Sequence, residues 1–282
     1  MTETQRRFGV LLAVFAAAML AVFALYAVMV QTEGGQDLDA AAYSGLEVEP
    51  GLGSNLADTI LQAFTLGSMA LGAFAIAGIG YSRGRVSLAL VPVAVIAGSL
   101  VTTEVLKHVI LERPDLLAIG DTTNTYPSGH TTIAAGLGVG AILVVPASVR
   151  PAVTIGAVAF VSAIGVATVA GGWHRPSDVL GAYLVTVGVA ALVVAGARRL
   201  APRHAREPEQ PFGTLGAVAL GGVLGIIGVF AIAIAEQAGE IDWGSVDRGL
   251  LASAAILPAS AAILIGALAA AVFGTSEETA PI

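Results

Sequence analysis

Three short polar clusters stand in an otherwise apolar chain: Lys107…Arg113-Pro114, then Tyr126-Pro127-Ser128-Gly129-His130, then Gly172-Trp173-His174-Arg175-Pro176-Ser177-Asp178. Residues 107–178 hold three of the four histidines and the only lysine. Ionisable residues are costly in a membrane and tend to mark function there, and imidazoles gathered with cations point to chemistry on an anion.

Each cluster has a local reading. Pro127 biases Tyr126 towards extended backbone and Ser128 suits an N-cap, which predicts a helix starting beside His130. The free N–H groups and dipole at that helix start would bind an anion, with His130 at the rim; the plainer reading is a capped helix with an interfacial histidine. In the third cluster Pro176 suits the first position of a helix and Asp178 falls in its first turn. A carboxylate four residues after His174 can accept from one imidazole nitrogen and leave the other free as nucleophile or base. Asp178 could instead serve only the helix N-terminus, and Trp173 reads best as an interface anchor. His174 and Asp178 lack enough further ligands to close a metal site, so neither a metal nor a cofactor is expected. Lys107 and Arg113 offer positive charge to a phosphate, Arg113 as a two-pronged donor. The competing reading pairs Lys107 with Glu104, one turn earlier, and Arg113 with Glu112 or Asp115.

The elements that must position these clusters are membrane helices. Hydrophobic residues make up 56% of the 282 and charged residues 12%, with a mean hydropathy of +0.86. Such a composition predicts an all-α, polytopic membrane helix bundle. Apolar runs cover about residues 8–30, 59–80, 86–106, 130–145, 152–171, 178–197, 214–235 and 250–273. Most approach the ~20 residues needed to cross the hydrocarbon, so about eight transmembrane helices are expected. The first run is too long for a secretory signal. Residues 31–58 read as an acidic loop with little capacity to form core. The predicted organisation is a six-helix core over 1–197, a basic linker over 198–212, and two further helices with a short tail over 213–282.

Eight spans put both termini on one side, with Arg6, Arg7, Arg83, Arg85, Arg150, Arg198, Arg199, Arg203 and Arg206. By the positive-inside rule that side is cytoplasmic, which sets the three clusters on the extracytoplasmic face. Twelve arginines against one lysine, with abundant Ala, Gly and Val, resemble the codon usage of a GC-rich bacterium. A net charge of −7 leaves no basic stripe for nucleic acid. The absence of cysteine removes disulfides, thiolate metal sites and thiol nucleophiles. Glycine spacings at Gly136, Gly138, Gly140 and at Gly221, Gly225 suit packing inside one bundle better than a homo-oligomer interface.

Lys107…Arg113-Pro114, Pro127-Ser128-Gly129-His130 and His174-x-x-x-Asp178, in this order on consecutive helix ends, resemble the three-part signature of the type 2 phosphatidic acid phosphatase family. That family includes integral-membrane lipid phosphate and polyprenyl diphosphate phosphatases. The resemblance covers roughly the first six helices. It implies that His174 attacks phosphorus and forms a phosphohistidine, that Asp178 orients it, and that His130 protonates the leaving oxygen and then helps activate water. It also implies that Lys107, Arg113, Ser128 and the Gly129 N–H hold the phosphate oxygens. Two departures stand out: five residues rather than six separate Lys107 from Arg113, and Ala167-Thr168 stand where the third motif begins with Ser-Arg. Arg175 is the residue placed to supply the missing charge.

The expected function is removal of phosphate from a membrane lipid at the outer face of a cytoplasmic membrane. Phosphoryl transfer to another acceptor is a variant of the same chemistry. A non-catalytic relative that binds phospholipid or scaffolds an envelope complex is the second class, favoured by the lost arginine and disfavoured by His130, His174 and Asp178. A transporter would carry charge at mid-membrane, where Glu104 is the nearest candidate.

Overall fold

The computed structural model describes residues 3–44, 59, 61–84, 86–118 and 123–200, together with 257, 259–261, 264–266, 268–269 and 272. Among these residues every regular element is a helix. Helix α1 is Glu3–Leu25, continued by a π-turn over Tyr26–Val30; α2 is Glu33–Ser44; α3 is Leu66–Ser82. Helix α4 is Val86–Val105, continued by a second π-turn over Leu106–Ile110; α5 is Gly129–Val144, α6 Arg150–Ala170 and α7 Pro176–Leu200. Gln5–Val30, Val86–Ile110, Arg150–Ala170 and Pro176–Leu200 are long and apolar enough to cross a membrane, and Gly67–Ser82 and Gly129–Val144 are shorter apolar helices. The chain is a multi-pass membrane helix bundle, as its composition predicts.

Helix α7 packs against α1, α4 and α5, while α5 lies between α4 and α6 and touches α3. Residues 131–140 of α5 are buried without interruption, which explains why that helix is apolar on every side. Close approach there depends on glycine: a Cβ at Gly136 would stand 3.2 Å from the Ile96 Cα. The glycine spacing of α5 therefore serves packing within the bundle; Gly221 and Gly225 lie outside the described residues. With 16 residues, α5 rises ~24 Å, short of the ~30 Å hydrocarbon thickness.

The structure differs from the sequence reading in two places. Residues 31–58 do not begin as a loop. Thr32 accepts the Gly35 N–H at 3.0 Å and starts α2, whose inner face buries Gly35, Gln36 and Asp39. The run starting near residue 59 is also not continuous, because Thr65 caps α3 by accepting the Ser68 N–H at 3.3 Å, and Phe64 turns into the core.

The helix directions put the three clusters at one end of the bundle and a set of arginines at the other. Arg83 donates to the Val144 carbonyl at 2.5 Å, Arg150 to that of Val145 at 3.2 Å, and Arg199 lies 3.9 Å over the Phe8 ring. Of the last apolar run, Leu257, Ala261 and Ile265 pack with Ala157 and Val161 of α6, and Leu268 and Val272 with Leu11 and Ala191. The linker beyond residue 200 and the run 214–235 lie outside the described residues, and with them the count of eight.

Candidate active site

Helix α6 ends in a Schellman cap that aims the third cluster. Gly172 takes φ +68, in the left-handed region that favours glycine. Its N–H donates to the Val169 carbonyl at 3.0 Å and the next N–H, of Trp173, to that of Thr168 at 2.9 Å. The His174 N–H follows onto the same Thr168 carbonyl at 3.0 Å, so the turn fixes the histidine backbone two residues before α7 begins. Thr168, in place of the motif arginine, is fully buried and donates its hydroxyl to the Gly165 carbonyl at 2.9 Å.

At the start of α7, His174 and Asp178 meet as their spacing predicts. The His174 Nδ1 lies 3.3 Å from the Asp178 Oδ2, which leaves Nε2 as the nitrogen turned away from the carboxylate. The same Oδ2 accepts the Thr125 hydroxyl at 2.7 Å and the Arg175 N–H at 2.9 Å. Asp178 is fully buried, and these donors hold its charge where water does not reach. The Arg175 guanidinium reaches Thr125, with Nη1 3.3 Å from Oγ1.

The second cluster is tied to the third through backbone, because the Ser128 N–H donates to the Asp178 carbonyl at 3.0 Å. Ser128 caps α5 as expected: its Oγ accepts the Thr131 N–H at 3.3 Å and donates to the Thr131 hydroxyl at 3.0 Å. His130, in the first turn, has its ring centroid 6.3 Å from that of His174 and 5.2 Å from Trp173, edge to face. Trp173, 42% exposed, thus stands at the surface and also steadies His130. The Tyr126–Pro127 peptide is cis. Tyr126 itself is buried and donates to the Val22 carbonyl at 2.7 Å. Burial, then the carboxylates of Asp178 and Asp39, push its phenol far above the usual range, so it stays a neutral donor.

The first cluster leaves α4 through the π-turn. The position that a six-residue spacing from Arg113 would assign to lysine is Leu106, buried in core with Val22, Leu111 and Tyr126. Lys107 is the residue at the site: its Nζ would lie 3.6 Å from a Cβ on Gly129. A π-turn takes up one extra residue in a helix and is frequent at functional sites. Asn124 ties this turn to the second cluster by donating to the carbonyls of Lys107 at 3.0 Å and Leu111 at 2.9 Å. Glu104 pairs with Lys107 at 3.5 Å and with His108 at 3.1 Å. Arg113 is buried, and its charge offsets only a small part of the rise that burial imposes on the carboxyl of Asp39 on α2. That carboxyl accepts the Ser177 N–H at 3.2 Å and also binds the Ser177 hydroxyl.

The bundle end therefore gathers His174, Asp178, His130, Ser128, Gly129 and Lys107, with Arg175 joined through Thr125 and Arg113 held beside α2. Thr125, Asn124 and Asp39 were not singled out in the sequence. The first two lie in the extended segment before Ser128, where a polar pair close to a cap is the only signal. Asp39 is one acid among several in a segment that reads as loop.

No curated protein matches the chain. Among solved structures it is similar to a protein described as the first transmembrane PAP2 type phosphatidylglycerolphosphate phosphatase from Bacillus subtilis. The TM-score is 0.54 at 20% identity, covering 68% of this chain and 98% of that one. At that identity the likeness is one of fold. The PAP2 superfamily profile matches residues 88–201, a stretch that holds all three clusters. The segment that builds the site, from α4 to the end of α7, is thus the part of the chain that is similar to the PAP2 superfamily.

Proposed function

We propose that this chain is an integral-membrane lipid phosphatase that hydrolyses the phosphomonoester or diphosphate of a lipid, of polyprenyl phosphate or phosphatidic acid type, through a phosphohistidine. The observation that carries the reading is one imidazole, His174, backed through Nδ1 by a buried carboxylate 3.3 Å away, with a second imidazole, His130, 6.3 Å off at a helix N-terminus. The PAP2 match and the fold of the Bacillus subtilis phosphatase support it.

His174 Nε2 attacks phosphorus as the bond to the lipid oxygen breaks, and His130 gives that oxygen its proton. Asp178 holds the imidazole and stabilises its positive charge. His130, now neutral, takes a proton from water as the water oxygen attacks phosphorus. The P–N bond breaks and inorganic phosphate leaves. Lys107, Arg113, Arg175 and the Gly129 N–H stabilise the charge on the transferring phosphoryl group, joined by the Ser128 hydroxyl once it turns from Thr131 to the phosphate, so the chemistry asks for no metal. The arginines at the opposite end of the bundle favour a cytoplasmic position for that end and an extracytoplasmic one for the site. The lipid head would enter between the clusters while its tail stays in the bilayer.

The test is phosphate release from a panel of lipid phosphates in detergent micelles, without added metal, by wild type and His174→Ala. Release by wild type that is lost in the variant, with an acid-labile phosphoenzyme trapped only in wild type, supports the reading. Undiminished release by His174→Ala refutes it. One observation favours a second reading, a phosphotransferase or a non-catalytic phospholipid binder. Thr168, in place of the motif arginine, has its hydroxyl engaged with the Gly165 carbonyl. Absence of release from every lipid by folded wild type would select that reading.

A further inference from the structure

Helix α7 starts with a deficit. Its N-cap is Arg175, whose carbonyl accepts the N–H groups of Asp178 at 3.0 Å and Val179 at 3.4 Å. The arginine side chain carries only donors and cannot accept a first-turn N–H. Asp178 meets part of the need. At the third helical position its Oδ2 reaches back to the Arg175 N–H at 2.9 Å, as the acidic member of a capping box does. The N–H of Ser177, at the second position, is the one a capping side chain would ordinarily take.

That acceptor comes from elsewhere in the chain. Asp39 Oδ1 accepts the Ser177 N–H at 3.2 Å, and Oδ2 takes the Ser177 hydroxyl, across 138 residues of sequence. Asp39 is 1% exposed and shares its face of α2 with Gln36. The Gln36 amide donates to the Val30 carbonyl at 2.8 Å and to that of Pro114 at 2.7 Å. Gly35 lets α2 lie this close, since a Cβ there would meet the Val28 carbonyl oxygen at 2.1 Å. One face of α2 therefore holds both the Arg113-Pro114 segment and the helix start that carries Asp178.

We propose that Asp39 is a positioning residue for the His174–Asp178 pair, acting from α2 as the N-cap that Arg175 cannot be. It fixes the start of α7, and with Gln36 on Pro114 it makes α2 the brace that sets the first cluster against the third. The proposal rests on the reading of His174 as nucleophile and adds a residue to it that touches neither substrate nor reacting atoms.

The test uses the full chain in detergent micelles, a short-chain phosphatidic acid as probe, and 15N-histidine labelling. Asp39→Asn keeps an oxygen for the Ser177 N–H and an amide for its hydroxyl. Asp39→Ala removes both, and Asp39→Glu keeps the charge but displaces the oxygens by a methylene. Asp39→Ala is expected to lower kcat roughly tenfold or more with KM little changed. Asp39→Asn should stay within about threefold of wild type, and Asp39→Glu should fall below it. The imidazole 15N signals of His174 should move in Asp39→Ala and return to their wild-type places in Asp39→Asn, a readout that does not depend on turnover. Wild-type kcat and an unmoved His174 spectrum in Asp39→Ala would overturn the proposal. So would an Asp39→Asn as damaged as Asp39→Ala, since charge rather than the cap would then matter. Should Asp39→Ala not fold, an Asp39→Glu equal to wild type beside a damaged Asp39→Asn overturns it in the same way, and the reverse order supports it. If wild type releases no phosphate, or His174→Ala releases it undiminished, the phosphatase reading falls, and the His174 spectra alone decide on Asp39.

Discussion

Replacing Asp178 by asparagine should separate the charge of the orienting carboxylate from its shape. The side chain is fully buried, and its Oδ2 carries all the traffic: Thr125 Oγ1 at 2.7 Å, Arg175 N at 2.9 Å and His174 Nδ1 at 3.3 Å. Its Oδ1 is buried with no hydrogen-bond partner among the described residues. An amide can enter in two ways. With its oxygen at the Oδ2 position it keeps all three contacts but buries an NH2 group where no acceptor stands, at a cost of ~1–3 kcal/mol. Turned over, it points donors at the Arg175 N–H and obliges His174 to accept at Nδ1, which moves the imidazole proton to the nitrogen that should attack. Either way the site loses a charged acceptor worth ~1.5–3 kcal/mol as the imidazole gains positive charge. A loss of ~3 kcal/mol is over a hundredfold in rate. A neutral replacement for the orienting carboxylate of a serine triad costs about 10⁴. Asp178→Asn should therefore lower kcat by about 10²–10⁴ and leave KM within about threefold. The assay is steady-state phosphate release, with thermal unfolding of the same preparation to show that the chain is folded. A kcat within threefold of wild type, or a loss carried wholly by KM, would refute the role given to Asp178.

Three further outcomes are expected. Burial raises the Asp39 carboxyl from 3.8 to about 6, against the lowering effects of Ser177 and Arg113 and with the charge of Asp178 adding to the rise; Tyr126 also faces it. Because the folded pKa is the higher one, this group's contribution to stability is full below pH 3.8 and is lost as pH rises through about 6. Asp39→Asn should accordingly gain stability relative to wild type between pH 4 and 7, by up to ~3 kcal/mol, and parallel unfolding curves at both pH values would contradict it. In Gly181→Ala the new Cβ would stand 2.6–2.9 Å from the Tyr126 ring and hydroxyl, and Tyr126 is anchored to Val22. The variant should lose ~1–3 kcal/mol of stability and some phosphate release, because Tyr126 stands two residues before Ser128; an unchanged unfolding midpoint and rate would show that the ring has room to move. Lys107→Ala should lower kcat/KM about 10- to 100-fold, whereas Glu104→Gln, which frees Lys107 from a half-exposed pair worth at most ~1 kcal/mol, should lower KM by no more than about fivefold; a rise in KM in Glu104→Gln would mean that the carboxylate helps to place the lysine.

What the sequence revealed of the site and what it hid divide along physical lines. His174 with Asp178 and Ser128 with the start of α5 were legible because each is a contact within one turn, set by helix geometry and by the chemistry of caps. The membrane bundle was legible because burial in lipid leaves its mark on every residue of a span. Contacts between segments leave no such mark. Nothing near Thr125 predicts that its hydroxyl reaches a carboxylate 53 residues later, and the π-turn that carries Lys107 has no sequence signal of its own. Helix α2 was hidden for a related reason. Its acids and glycines read as loop because the value of Asp39 and Gly35 comes only from what they meet, the open N-terminus of α7 and the closing turn of α1. One half of that contact was nevertheless visible: an arginine at an N-cap before Pro176 is a place where an acceptor is missing. Here the helix whose cap lacks an acceptor carries Asp178, the carboxylate that meets His174, and it borrows that acceptor from another element. The element that lends it, here α2, becomes part of the site's framework even though it contributes none of its three motifs.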